Sequence, residues 1–128
     1  MSIELSVSQL PSGARCMLMV TAGHFSREDA EEFFRQIRPG GPMYRLPRLC
    51  LCQNQTSAAS DARSMFVDLK GEGEPWTAMV VANAVVRVAI SFVLRISRNK
   101  KVRLFTDEHE ATRWLDERVR EDTARGAV

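Results

Sequence analysis

Residues 76–115 decide the fold, and they read WTAMVVANAVVRVAISFVLRISRNKKVRLFTDEHEATRWL. The residues up to Ala82 form an apolar run of strand length, and the run from Ala84 to Ile96 has the length of a helix. A short apolar run from Val102 to Phe105 predicts another strand, and a capped helix follows it. The apolar face of that last helix consists of Ala111, Trp114 and Leu115. This succession predicts an alternating α/β domain and contains no recognisable catalytic motif.

The residues before this segment extend the same architecture. Ile3, Leu5 and Val7 alternate with polar residues, which is typical of a half-buried strand, and the turn residues Pro11 to Gly13 then predict an opening β-hairpin. Ser26 is placed to cap the first helix. The remaining predicted elements are strands over Cys16 to Val20, Leu46 to Cys52 and Thr77 to Ala82, a helix over Ala58 to Leu69 and a turn over Gly71 to Pro75.

The element order is therefore ββαβαβαβα. Strands that alternate with helices predict parallel pairing, because a crossover helix returns the chain to the same end of the sheet. We expect one α/β domain over residues 1–128, with a mixed, mostly parallel sheet of about five strands packed with about four helices.

Composition favours an ordinary globular domain. The chain has 128 residues, 45% of them hydrophobic, and its 18 basic and 16 acidic residues leave a net charge of only +2. No overall positive field would therefore attract nucleic acid. The cysteines Cys16, Cys50 and Cys52 are odd in number and lie in apolar runs, which favours a reducing compartment. Since Met1 to Leu10 does not resemble a secretory signal, we expect a cytoplasmic protein.

The helix from Ala84 to Ile96 carries the strongest functional signal. Its polar residues recur every four positions and wind slowly around the axis: Asn83, Arg87, Ser91 and Arg95. The remaining apolar arc is wider than the roughly 100° that packing against a sheet requires. In the simplest interpretation, flanking helices cover the surplus. Otherwise it is an interface for a homodimer or protein partner, a groove for an apolar ligand, or a contact with a membrane surface.

A transmembrane segment is not expected, although Ala78 to Ile96 is almost long enough for one. Arg87 would lie near the bilayer centre at a cost of about 2.5–3.5 kcal/mol, and Asn83 divides the segment into a strand and a helix. Peripheral membrane contact stays open, because basic residues cluster beside the helix. They are Arg95, Arg98, Lys100, Lys101 and Arg103. A solvated loop and strand edge is the simpler interpretation of that cluster.

Polar residues at the predicted carboxyl ends of the strands form a second candidate site, because parallel sheets bind ligands there. They are His24, Asn54, Gln55, Thr56, Ser57, Asn83 and Thr106. His24 is the one candidate base, but no serine or cysteine stands in a nucleophile-elbow motif. Thr56 or Ser57 is expected to cap the following helix, and Asn83 the next one. We therefore predict no catalytic residues and no enzyme activity.

Cys50 and Cys52 place two thiols on one face of a strand, which is half of a metal site. The only other soft ligands are His24, His109 and Cys16, and these show no paired spacing. We therefore expect buried structural cysteines, no metal site and no cofactor.

The chain resembles the STAS/SEC14 superfamily, specifically bacterial SpoIIAA-like proteins, in its element order and in the segment quoted above. The matching pieces are Trp76 to Asn83, the Arg87 to Arg98 helix, Val102 to Asp107, and Ala111, Trp114 and Leu115. Members that resemble anti-sigma-factor antagonists imply a partner kinase and a phosphoacceptor in the loop before the second helix, where Thr56 and Ser57 stand. The aspartate and glycine that accompany such a phosphoacceptor are absent from Gln53 to Ser60. SEC14-like members imply a lipid or another apolar ligand.

The leading hypothesis is a non-enzymatic regulatory or protein-interaction module that binds a protein partner or a second copy of itself. The expected contact surface consists of Asn83, Arg87, Ile90, Ser91, Val93, Leu94 and Arg95, with the Asn54 to Ser57 loop beside it. Apolar burial would supply the affinity, and Arg87 and Arg95 would fix the register. The alternative is a carrier of a lipid or small apolar ligand, with its pocket under the same helix.

Overall fold

The computed structural model describes residues 3–69 and 74–126, so most of the predicted Gly71 to Pro75 turn lies outside the described residues. Its elements are β1 (Ile3–Gln9), β2 (Arg15–Phe25), α1 (Arg27–Ile37), β3 (Arg48–Ala58), α2 (Ser60–Val67), β4 (Thr77–Val81), α3 (Ala84–Ser97), β5 (Val102–Phe105) and α4 (Glu108–Ala124). This order confirms the predicted ββαβαβαβα architecture.

The strands form one five-stranded sheet in the order β1-β2-β3-β4-β5. β1 pairs antiparallel with β2, and the other three pairings are parallel. The opening hairpin closes through a hydrogen bond of 2.8 Å from the Leu10 amide to the Ala14 carbonyl. Gly13 provides the positive φ of +93° that this turn requires. The sheet is therefore mixed and mostly parallel, as predicted.

Helices cover both faces of the sheet. On one face α1 packs against α2 and α2 against α3, and Phe25, Phe33 and Phe66 join their apolar sides to the sheet. On the other face α4 packs across β3, β4 and β5, with Ala111 and Leu115 fully buried. Because α1 and α2 lie on one side of it, α3 is the outermost helix of its layer.

The predicted helix starts are confirmed where a polar side chain precedes the helix. Ser26 and Asp29 form a reciprocal capping box at α1. The Asn83 side chain accepts hydrogen bonds of 2.8 and 3.2 Å from the backbone amides of Val85 and Val86 in the first turn of α3. Asp107 accepts one of 3.0 Å at α4. Each cap satisfies backbone N–H groups that have no partner within the helix.

Strands β2 and β3 are longer than predicted, and this corrects the placement of Thr56 and Ser57. Both residues lie in β3, not in a loop, and neither caps α2, which begins after Ala59 without a side-chain cap. Parallel pairing continues through His24 with Ser57 to Phe25 with Ala58, after two register shifts. Hydrogen bonding between the two strands therefore overrides the local preference of these polar residues for turns and caps.

Candidate functional site

Helix α3 exposes a continuous row of large apolar side chains, which we call the α3 stripe. It consists of Val85 and Val88, each 69% exposed, Phe92 at 57% and Ile96 at 48%. Their spacing of three, four and four residues places them on one side of the helix. The opposite side packs against the core through Val86, which is only 2% exposed. The predicted apolar surplus is therefore real, and the flanking helices do not cover it.

The residues predicted to form the contact surface lie mainly beside or beneath this stripe. Ile90, Val93 and Leu94 are partly buried and line a cavity under α3, so they are not the exposed apolar surface. Arg87 lies on the flank and donates a hydrogen bond of 3.3 Å from Nη2 to the Val81 carbonyl. Ser91 is partly buried, whereas Arg95 is exposed at the edge of the stripe.

The stripe itself was missed because α3 is apolar almost all round. In such a helix the hydrophobic pattern does not distinguish the inner side from the outer side. The polar residues that recur every four positions follow the flank of α3 and do not mark the centre of its exposed side. No local signal in the sequence identifies the exposed side, because the rotation of α3 about its axis is set by the packing of Val86 and Ile90 against the core.

The cavity under α3 is small and apolar. It has a volume of about 90 Å³ between α2, α3 and the sheet, and its lining includes Met19, Phe66, Met79 and Ile90. This volume equals the share of about three water molecules, and drug-sized ligand pockets begin near 300 Å³. Within this structure the cavity has room for a molecule of a few heavy atoms and not for a lipid chain.

The basic cluster predicted after α3 divides into two groups. Arg95, Arg98 and Lys100 are exposed, and none of them forms an ion pair within the part of the chain that the structure describes. Lys101 and Arg103 instead lie over the rings of Trp76 and Phe105, at 5.4 and 5.3 Å from the ring centroids. Three cations therefore remain available beside the C-terminal end of the α3 stripe.

His24 and Ser57, both predicted to lie at the carboxyl ends of strands, are in direct contact. The imidazole Nδ1 lies 2.7 Å from the Ser57 hydroxyl, in an exposed position where β2 and β3 end. His24 is thus a strand residue and not a loop residue. A serine bonded to an imidazole is one part of a nucleophilic site, but neither side chain lines the cavity under α3. Phosphorylation of Thr56 or Ser57 stays a prediction.

The three cysteines are buried and free, as expected. Burial raises the pKa of Cys52 from 9.0 to about 11, and a hydrogen bond with Thr21 opposes part of the rise. Burial also raises the pKa of Cys50 and of Cys16. Among residues 3–69 and 74–126, no three histidine, cysteine or acidic side chains are arranged to hold a metal ion. The thiols therefore contribute to packing and are protonated near neutral pH.

This burial predicts a loss of stability at alkaline pH. The folded chain holds the Cys52 proton more tightly than the unfolded chain, so the contribution is complete below pH 9.0 and declines as the pH rises towards 11. We expect Cys52 alone to lower the free energy of unfolding in urea by about 1–2 kcal/mol between about pH 8 and about pH 10.5. Cys52→Ala should show a smaller decline, and an identical decline in this variant would contradict the assignment.

Comparisons with known proteins identify the fold. The sequence model of a family described as "Domain of unknown function (DUF7793)" matches residues 42–119. No curated protein matches the sequence. A crystal structure of an uncharacterized DUF3478-family protein with a SpoIIAA-like fold, from Shewanella loihica PV-4, superposes with a TM-score of 0.64 at 14% identity, covering 89% of this chain and 93% of that chain. This likeness establishes a SpoIIAA-like fold. In the described residues no helix is both long and apolar enough to cross a bilayer.

Proposed function

We infer that this chain, which belongs to the DUF7793 family, is a non-enzymatic binding module that acts through the α3 stripe. The observation that carries this proposal is the exposure of Val88 and Phe92 beside two further large apolar residues on a single helix. Soluble proteins expose large apolar residues singly as a rule, and contiguous ones mark contact surfaces. The role is regulatory in the sense that binding, and not chemistry, is the output.

The mechanism is burial of an apolar surface with polar groups at its edge. Phe92 lies near the middle of the stripe, where an aromatic side chain contributes most to binding. Arg87 is held on the flank by its hydrogen bond to the Val81 carbonyl. A guanidinium that is already positioned loses less conformational entropy when it binds an acceptor. The cavity of about 90 Å³ supports the carrier alternative only for very small apolar molecules, so the outer face of α3 carries the proposal.

The test is the reactivity of a thiol placed in the stripe. Val88→Cys should react with a membrane-permeable maleimide at the rate of an exposed thiol in the purified chain. In cells that naturally make the chain, the same thiol should react at least about tenfold more slowly, because whatever binds the stripe excludes water and reagent. Native cysteines add no background, since all three are buried.

Arg113→Cys is the matched control, since Arg113 is exposed on α4, across the sheet from α3. Its labelling rate should be the same in cells and in the purified chain. Equal rates in the two settings at residue 88 would show that the stripe stays uncovered and would refute the proposed function.

A further inference from the structure

We propose that the α3 stripe docks on the surface of a bilayer that contains anionic lipid. This inference rests on the proposed function, because it names the occupant of the same surface. The stripe inserts among the lipid headgroups while the neighbouring cations contact lipid phosphates.

Charge is strongly segregated along the chain. Between Glu74 and Asp107 there is no acidic residue, so all 16 acidic residues lie outside residues 75–106. The six basic residues inside that range are Arg87, Arg95, Arg98, Lys100, Lys101 and Arg103. A net charge of +2 for the whole chain therefore conceals a uniformly cationic segment. That segment contains the exposed apolar helix.

The cations that lack an ion pair lie beside the stripe. Arg95 and Arg98 flank Ile96 in sequence, and Lys100 follows α3, so apolar and cationic groups share one end of the helix. Helices that lie in the plane of a membrane interface combine the same two features. Their apolar side enters the headgroup region, and basic residues line the edge of that side. Each such cation adds about 1 kcal/mol near an anionic leaflet, or about fivefold in affinity.

The acidic residues of the last helix lie on the other side of the sheet. Helix α4 carries Glu108, Glu110, Asp116, Glu117, Glu121 and Asp122. Helix α4 also carries Arg113, Arg118 and Arg120 and so has three more acidic than basic residues, while α3 has two basic and no acidic residues. The acidic residues of α1 lie on the α3 face, so an anionic surface would attract α3 and the cations after it, not the whole of that face. The cations in and after α3 would thus favour an orientation with the stripe towards the bilayer.

A bilayer fits the stripe better than a second copy of the chain does. Two α3 surfaces placed together would join two segments that each hold six cations and no acidic residue, so no ion pair between these segments could offset the repulsion of like charges. Phe92, the largest member, exposes on the order of 100 Å². The four side chains then reach only about half of the roughly 800 Å² per partner that stable protein interfaces bury. Insertion among lipid headgroups needs no such area, because the four inserted side chains supply the apolar contact themselves.

The geometry is also suited to shallow insertion. From Val85 to Ile96 the stripe is about 16 Å long at the rise of an α-helix. The stripe lies on the helix at one end of its layer, and its four side chains are 48–69% exposed. A helix of this kind lies flat and buries its apolar side to a depth of about 5–10 Å.

The test is co-sedimentation of the full chain with vesicles at about 0.1 M salt. The chain should bind vesicles of phosphatidylcholine that contain one third phosphatidylglycerol and should not bind pure phosphatidylcholine. Arg95→Gln/Lys100→Gln should weaken binding about 30-fold, which corresponds to about 1 kcal/mol for each cation. Phe92→Ser should weaken binding at least about tenfold, through the loss of apolar insertion.

Two controls match these variants. Arg15→Gln/Arg113→Gln has the same change in net charge at exposed sites away from α3, and Tyr44→Ser removes a 44% exposed aromatic ring in the loop after α1. Both should bind within about twofold of the unmodified chain. Absence of binding to the anionic vesicles, or an equal loss in the controls, would overturn the inference. Protection of Val88→Cys in cells without vesicle binding would leave the proposed function standing and assign the stripe to a protein partner.

Discussion

Val86→Asp is expected to remove most of the stability of this chain. Val86 is 2% exposed and belongs to the core cluster between α3 and the sheet. Arg63 lines the same cavity as Val86, but burying a carboxylate at a core position still costs several kcal/mol or forces its protonation. We expect a loss of at least about 4 kcal/mol, out of a total of about 5–15 kcal/mol for a typical domain. Urea unfolding followed by circular dichroism measures the loss.

Val88→Asp is the matched control, because it places the same substitution two residues further along the same helix. Val88 is 69% exposed, so the carboxylate stays in water and the free energy of unfolding should change by less than about 0.5 kcal/mol. Similar losses in the two variants would show that α3 is rotated differently about its axis. Ile90→Asp does not provide this control, since Ile90 packs against the core and lines the cavity.

Leu115→Ala is expected to cause the second large loss of stability. Leu115 is fully buried in the cluster that α4 forms with β3 and β4, beside Ala78 and Val80. Truncating a buried leucine to alanine costs about 2–5 kcal/mol, because the transfer free energy is lost and a cavity is left behind. Among the described residues α4 is the one helix packed on this face of the sheet, so no second helix there can move into that cavity.

Arg113→Ala tests the same helix without disturbing the core, since Arg113 is exposed. Arginine and alanine have similar helix propensities, so the expected change is within about 0.5 kcal/mol. A loss below about 1 kcal/mol for Leu115→Ala would indicate that α4 is not firmly packed on the sheet. Thermal unfolding of the two variants beside the unmodified chain supplies the comparison.

The sequence predicted the architecture well because its strongest signals are local. The caps at Ser26, Asn83 and Asp107 and the apolar runs between them determine where α1, α3, β5 and α4 begin. A cap acts within a few residues, because its side chain accepts hydrogen bonds from the backbone N–H groups of the first helical turn. The predicted boundaries of β5, from Val102 to Phe105, agree with the structure.

The sequence predicted the candidate site less well, because the rotation of α3 about its axis and the pairing of β2 with β3 depend on contacts between residues that are distant in the sequence. The ends of β2 and β3 contain polar residues that prefer turns, and only their mutual pairing keeps them extended. The side of α3 that faces solvent is set by how Val86 and Ile90 pack against the sheet and α2, while its exposed side is equally apolar. A hydrophobic pattern identifies a polar side, and this helix has none at the centre of its exposed surface.

Labelling of Val88→Cys shows whether the α3 stripe is covered in the cell. The quantity is the maleimide labelling rate in cells divided by the rate in the purified chain, compared with the same ratio for Arg113→Cys. We predict a ratio of about one tenth or less at residue 88 and close to one at residue 113, because only the stripe is covered in the cell. A ratio close to one at both residues would contradict the claim that the α3 stripe is the binding surface.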